Sequence, residues 1–360
     1  MLSVIFIVFG LTIGFVIKFS YDTAEEDVKL FVQESSEKYS ERVQTTLSEA
    51  IIVSKTMAAK FETALNNNVA LEEQETIEFF KRILKNNKNI VGVFFKNKPR
   101  ELFFKENNES KGKNGYDKTG QFNPYVIRSK GEYKIQPGSP YNEDLEWIGG
   151  PMKAGKEYVT KPYLFPVDGV KVMMTTIAVP MYHNGDFIGS IGVDITLDTL
   201  NSMTKSVKFF EHGYAFIIDS FGIIVAHPQK EIVGKDVLTV VKNDKNYVTM
   251  IERAKNNKNH MFFKKSFKDG LESMYYTNAF EIKGTGQNWI FGMAAPTDEY
   301  LASAIFIKNF IIIASVIALY ELNLFLLTFL TTSSAMTLVS LAIVLVLSAI
   351  EAFSCVNLSN

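Results

Sequence analysis

Two apolar ends enclose a polar interior, and that placement constrains the chain more than any average of its composition. Leu2 to Ile17 carries no charge before Lys18 is reached. About 16 residues at 1.5 Å each fall slightly short of a ~30 Å hydrocarbon core, a gap that Lys18 can close by snorkelling and Phe19 by extending the run. A cleaved signal peptide is the rival reading. The start lacks a basic leading region and a small-x-small cleavage site, which favours an uncleaved anchor over 1–19. At the other end Ile305–Tyr320 is apolar apart from Lys308 and Asn309, and Leu322–Leu330 continues past Glu321. Residues 301–330 therefore read as a return span. A third apolar run, Met336–Ile350, follows the polar patch Thr331–Ser334, so 331–360 reads as a further span or as aberrant sequence, with no signalling domain after it.

What lies between is built differently. The 38 basic and 39 acidic residues nearly cancel, so no global field points to nucleic acid or to a strongly charged partner. The single cysteine, Cys355, rules out a disulfide framework. From 20 to 68 apolar residues recur at Val28, Phe31, Val32, Tyr39, Val43, Leu47, Ile51, Met57, Phe61 and Leu65. Spacings of three and four mark one face of a helix, and about 45 helical residues reach roughly 68 Å. Such a face packs on its own domain, on a sister subunit, or on both, so a homodimer is expected.

Beyond this helix the pattern shortens. Thr76–Lys85 reads as a helix, Ile90–Lys96 as a strand, and Glu106–Gly120, with its Asn-Gly and Thr-Gly pairs, as a loop. Strands alternate with turns from Thr160 to Asp194, and His183-Asn184-Gly185-Asp186 is a hairpin turn between Val170–Val179 and Phe187–Ile195. A helix over Leu197–Val207 follows. The order then restarts with strands at Gly213–Ile218, Ile223–His227, Met261–Phe267, Ser273–Phe280 and Trp289–Ala295, and a mainly helical Glu231–Lys242. The expected fold is α+β. A long N-terminal helix leads into two modules with antiparallel sheets, over 69–207 and 208–300, flanked by membrane helices.

Several short motifs in this order carry a resemblance. They are Thr119 through Tyr125 with Arg128, Glu146-Trp147, Lys161-Pro162-Tyr163, Gly169 through Thr176, and Pro180 through Ile195. In the second module they are Gly213 through Asp219, Ala226-His227-Pro228, and Trp289 through Pro296. Together they resemble the double Cache sensor domains of methyl-accepting chemotaxis proteins. The resemblance implies a small-molecule pocket in the first module, with Tyr125, Arg128, Trp147, Tyr163, Thr176 and Asp194 as the candidate ligand-binding residues. It also implies an inner-membrane protein with its sensor in the periplasm or outside the cell. An aspartate beside aromatic faces suits a cation, through a charge-assisted hydrogen bond and cation–π attraction. The family's amino-acid binders carry a basic residue two before the tryptophan, and here that position is Leu145. A desolvated carboxylate with no partner is costly, so an amine or quaternary ammonium ligand is expected. An amino acid or other carboxylate remains open if Arg128, Lys153 or Lys161 supplies the charge.

Plainer readings stand beside these. Trp147, next to Gly149-Gly150, serves equally well as a rim aromatic in a mobile loop, Tyr163 as a turn anchor, and Asp194 as a cap for the helix near Leu197. Asp219 and His227 read as hairpin-holding residues. No enzyme is expected. The four histidines are scattered without metal-ligand spacing, and Asp117 and Asp168 sit in turns without an acid–base partner. No cofactor and no metal follow from any motif. A sensor serving a histidine kinase or a cyclic-dinucleotide enzyme, or a ligand-blind interaction module, are the alternatives.

Overall fold

The stripe of apolar residues at the start of the chain forms one face of a single helix, α1 (Leu2–Asn66). The computed structural model describes residues 2–99, 103–105, 107–113, 115–207 and 209–329; Met336–Ile350 and Cys355 lie outside them. Lys29–Thr297 forms one compact unit and the two apolar ends form another. Within Lys29–Thr297 the α1 positions Val32, Val43, Leu47, Met57 and Phe61 are fully buried, as the spacing predicts. Phe31 departs from the pattern and stays 44 % exposed. The helix stops where Asn68 turns to φ 53° and the Val69 N–H donates to the Ala64 carbonyl at 2.8 Å. Asparagine tolerates that left-handed stop.

The first sheet takes shape after α2 (Glu73–Asn86). Its strands are β1 (Gly92–Asn97), β2 (Tyr125–Ser129) and β3 (Glu132–Gln136), then, after helix α3 (Glu146–Ala154), β4 (Tyr158–Val159), β5 (Tyr163–Val167), β6 (Val170–His183) and β7 (Asp186–Thr196). They pair antiparallel in the order β3-β2-β1-β7-β6-β4, with β5 also on β6. Paired positive-φ residues close three hairpins: Lys130-Gly131, Asp168-Gly169 and Asn184-Gly185, the primed-turn geometry that matches strand twist. Asp168 also ties two of these turns together by accepting from Ser129 Oγ at 2.8 Å and Lys134 Nζ at 2.7 Å. Phe95 faces α1 and α2, where the Phe61 ring stacks on it at 4.6 Å and the Phe80 ring lies 6.2 Å from Phe61. The sheet's other face holds the candidate site.

Helix α4 (Leu197–Lys205), capped by Thr196 Oγ1, leads to the second sheet. That sheet contains β8 (Tyr214–Ile218) and β9 (Ile224–Ala226), then, past α5 (Val237–Val240) and α6 (Lys245–Lys255), β10 (His260–Lys265), β11 (Glu272–Ile282) and β12 (Gln287–Pro296). Its order is β10-β11-β12-β8-β9. The expected helix over Glu231–Lys242 is largely absent. Gly234, at φ 84°, breaks the run, so only a 3-10 turn and the four-residue α5 form, and the real helix, α6, begins after Asp244 as its cap. As read from the sequence, Asp219 holds its hairpin, accepting from the Phe221 and Ile223 N–H groups at 2.8 Å. His227 Nδ1 accepts from Gln229 N–H, and burial keeps the ring neutral, with its pKa near 4.

Helix α1 runs along both sheets. On the second, Tyr39 stacks on Phe291 at 6.1 Å, Asn278 Nδ2 donates to Ser40 Oγ at 2.6 Å, and Gln44 Nε2 to the Glu281 carbonyl at 2.6 Å. On the first, Glu62 accepts from the Tyr182 N–H at 2.7 Å, and Lys55 pairs with Glu157. At the ends of the chain, α7 (Thr297–Tyr300) leads into α8 (Ala302–Phe329). The start of α1 and Ala302–Leu326 are the two stretches among the described residues long and apolar enough to cross a membrane, the second with a mean hydropathy of 2.2.

The two sheets meet through a side-chain amide. Gln287 accepts from the Val159 N–H and donates to the Val159 carbonyl, both at 2.8 Å, so it completes the edge of β4 as a strand would. Tyr158 and Lys161, on either side, place an aromatic edge and an ammonium against Phe221 of the second module. Replacing Gln287 with Ala leaves both Val159 groups unpaired and should cost about 1–3 kcal/mol. Gln287→Glu, which turns a donor into a second acceptor facing a carbonyl, should cost at least as much at pH 7. Urea denaturation of the Lys29–Thr297 region checks both, and a Glu variant as stable as the parent would show that the amide is not holding the junction.

Candidate functional site

The site is laid out by strand pairing. Asp194 in β7 lies opposite Gly92 in β1 and Thr176 in β6, so all three share a sheet face. Tyr125 and Ile127 of β2 fall on the same face, joined by Phe94, Met174 and Ala178. Gly92 is required here, because a Cβ at that position would sit 2.5 Å from the Tyr125 hydroxyl. The ring of Tyr125 therefore crosses β1 toward Asp194. A lone glycine inside the β-branched and aromatic run Ile90–Phe95 is the sequence signal for such a close approach.

Asp194 is 3 % exposed. Its Oδ1 accepts from Thr176 Oγ1 at 2.6 Å, and Thr176 Oγ1 lies 2.5 Å from the Tyr163 hydroxyl. Since threonine has one hydroxyl hydrogen, Tyr163 must donate to it. The Tyr125 hydroxyl leans on the same carboxylate without completing a hydrogen bond of full geometry. No lysine, arginine or histidine offsets the charge among the described residues. Burial accordingly pushes Asp194 up to about 6, while Thr176 and Tyr125 pull the other way. The Tyr125 and Tyr163 hydroxyls are driven well above their ordinary value, first by burial and then by the Asp194 charge.

Trp147 packs on the aromatic side of the site. The expected mobile loop is helix α3, whose glycines permit close packing: a Cβ at Gly150 would lie 2.6 Å from the Tyr158 ring. Pro151 has no N–H to give the Trp147 carbonyl, and Ser190 Oγ donates to it instead at 2.9 Å. The indole stacks on Tyr163 at 5.0 Å, with Phe165 edge-on to Trp147 at 5.9 Å and to Tyr125 at 5.5 Å. Phe165 was not among the residues singled out from the sequence. Its pattern as one of several aromatics in a short strand gave no reason to choose it.

Arg128 must be withdrawn from this group. It alternates with Tyr125 and Ile127 onto the opposite sheet face, and its guanidinium donates to the carbonyls of Leu84, Asn87 and Lys88 at the end of α2. The other two cations considered for a carboxylate are also placed elsewhere: Lys161 lies over Phe221, and Lys153 is exposed at the end of α3. Tyr163 begins β5 rather than anchoring a turn, and the α4 cap is Thr196 rather than Asp194. One buried cation does stand on this face of β1, two positions past Phe94. Lys96 donates to the Ser139 carbonyl, and burial lowers its pKa to about 7.

A family model described as Cache domain matches residues 20–304. The chain belongs to the Cache domain family. Over 120 residues this Cache protein is 36 % identical to the methyl-accepting chemotaxis protein McpA of Pseudomonas putida, covering 31 % of the chain and 18 % of McpA. Over 208 residues it is 26 % identical to the chemotaxis protein PctB of Pseudomonas aeruginosa, covering 56 % of the chain and 31 % of PctB. The matches thus span less than a third of these relatives. Among solved structures, the extracellular domain of a histidine kinase, mmHK1S-Z3, superposes with a TM-score of 0.64 at 21 % identity, over 77 % of this chain and 98 % of that one. The PctB ligand-binding domain in complex with L-Gln gives 0.51 at 20 % identity, over 76 % and 93 %. These likenesses establish the fold.

The raised Asp194 pKa fixes a sign for stability. The unfolded carboxyl titrates near 3.9, so between about pH 4 and pH 6 the folded chain holds the extra proton. Stability contributed by the neutral acid is then lost as pH rises through that window and stays lost above it. Asp194→Asn should remove this loss, melting like the parent at pH 4 and being more stable at pH 8 by about 2–3 kcal/mol. Denaturation at the two pH values measures it. An Asn variant less stable than the parent at pH 8 would mean that the carboxylate is not a desolvation liability.

Proposed function

We propose that the chain is the ligand-sensing region of an inner-membrane chemoreceptor, and that the site at Asp194 takes an organic ammonium ion without a carboxylate. The buried, unpaired Asp194 carboxylate carries this reading. Its ionised form is costly until a cation arrives. A ligand ammonium would supply the missing charge, donate to the carboxylate oxygens through any N–H it carries, and lie against the Trp147 and Tyr163 faces. Leu145 stands where a carboxylate clamp would be expected, Arg128 and Lys161 are engaged with other partners, and Lys153 is exposed at the end of α3, which favours an amine over an amino acid.

Entry of such a ligand must part Trp147 from Tyr163, and α3 carries Trp147. Glu146, the next residue, accepts from the Tyr158 hydroxyl at 2.9 Å and from the Lys161 N–H at 3.2 Å, both at the junction with the second module. Differential binding to two arrangements of α3 would thereby bias the junction, and the second module would pass the change to the return span. Assembly as a homodimer and a sensor on the outer side of the inner membrane belong to the same proposal.

An amino acid is the second reading, favoured by the likeness to the PctB ligand-binding domain, solved with L-Gln, and by Lys96, a buried cation on the same face of β1. Calorimetry on the Lys29–Thr297 region separates the two. Choline and ethanolamine should bind, lose at least 100-fold in affinity to Asp194→Asn, and bind more tightly as pH rises toward about 6 and the carboxylate ionises. Binding of L-Gln or L-Ser alone, abolished by Lys96→Met, would overturn the amine reading. Undiminished binding in Asp194→Asn would overturn the site itself.

A further inference from the structure

The second module holds a cavity that has no part in the site at Asp194. It is a cleft open to solvent on one side, with a volume of about 330 Å³, at the small end of small-molecule pockets. The end of α4, the loop into β8 and the β10–β11 turn form its walls. Among the described residues, the ammonium groups of Lys205 and Lys268 line it together with the Glu211 carboxylate, and the rings of Phe209, Phe210 and Tyr214 supply an apolar side. Lys268 is held in place, with Nζ donating to the His212 carbonyl at 2.9 Å and lying 5.1 Å from the centre of the Tyr214 ring. It also pairs with Asp269 at 3.6 Å.

Phe210 is a separate observation pointing the same way. Its backbone sits at φ 53°, a left-handed conformation that a bulky residue adopts only at a cost. That cost does not bring its ring into a core, because the residue remains 42 % exposed. The neighbouring Phe209 is buried and packs on Phe31 of α1 at 6.0 Å. One phenylalanine therefore anchors the loop, while the other is kept partly in solvent on the cavity wall.

We propose that this cavity is a second binding site, for an anion with an apolar tail. The head would lie between Lys205 and Lys268, and the tail against Phe209 and Phe210. A membrane phospholipid and a soluble amphiphile share that chemistry. Tyr214 pairs with Ala294 in β12, the strand that leads through α7 into the apolar α8.

The test uses the full chain with two probes: decyl phosphate in nonionic detergent, read by calorimetry, and phosphatidylglycerol in phosphatidylcholine nanodiscs, read by native mass spectrometry. Glycine suits φ 53°, so Phe210→Gly should melt at the parent's temperature or higher while weakening binding at least fivefold. A purely structural ring would move both in the same direction. Lys205→Glu, at an exposed position, should weaken binding similarly without changing the melt, and it decides the matter if Phe210→Gly proves less stable. Retention of phosphatidylglycerol identifies lipid as the source, and binding of decyl phosphate alone identifies a soluble amphiphile. Equal binding by the parent and both variants, or no binding of either probe by the parent, overturns the proposal.

Discussion

One helix has to bury a single apolar stripe against two separate sheets. Burying that stripe is favourable in proportion to the apolar area removed from water, and neither sheet covers all of it. Phe61 is taken up by the first sheet and Tyr39 by the second. The polar residues between them are used to fix position rather than to add area. Ser40, Gln44 and Glu62 each reach a specific group on one of the sheets. Because α1 is common to both modules, a shift in either is felt along the same rod, and the Gln287–Val159 contact joins them a second time.

Against this tightly packed frame the site in the first module is an exception. A carboxylate is buried where, among the described residues, a threonine and tyrosine hydroxyls face it and no cation does, and aromatic rings pack beside it. Stable proteins avoid such an arrangement unless something repays it. On the proposed function, the same features that make Asp194 a liability would make the site selective for a cation, since the carboxylate's desolvation is already complete before a ligand arrives. Lys96 shows the same tension with the opposite sign: a backbone carbonyl of the covering loop accepts from it, yet burial lowers its pKa to about 7.

Much of the site was legible from the sequence because the residues concerned lie in motifs whose order is distinctive. Tyr125, Trp147, Tyr163, Thr176 and Asp194 converge on one face, although they are spread over β2, α3, β5, β6 and β7. Arg128 was misread for a reason internal to strands: it lies three residues from Tyr125, and alternation sends residues an odd number apart to opposite faces. The β2–β3 hairpin turns at Lys130-Gly131, which lacks the Asn-Gly or Asp-Gly signal, and α3 contains two glycines and a proline that ordinarily argue against a helix. In α3 tertiary contacts override the local preference. Ser190 replaces the hydrogen bond that Pro151 cannot make, and the Tyr158 ring needs the space that Gly150 leaves.

The sequence by itself determined the apolar ends, the long amphipathic helix, the alternation of strands and turns, and the α+β class. These depend on periodicity, which is local and additive along the chain. Only the tertiary structure decided which cation faces which carboxylate. Charge pairing depends on distances between segments far apart in sequence, and on burial that no single segment controls. The unpaired state of Asp194, the use of Arg128 at the end of α2, and the junction at Gln287 are all of this kind. They emerge when strands are set in register, because register fixes which side chains are neighbours and which groups lose their water.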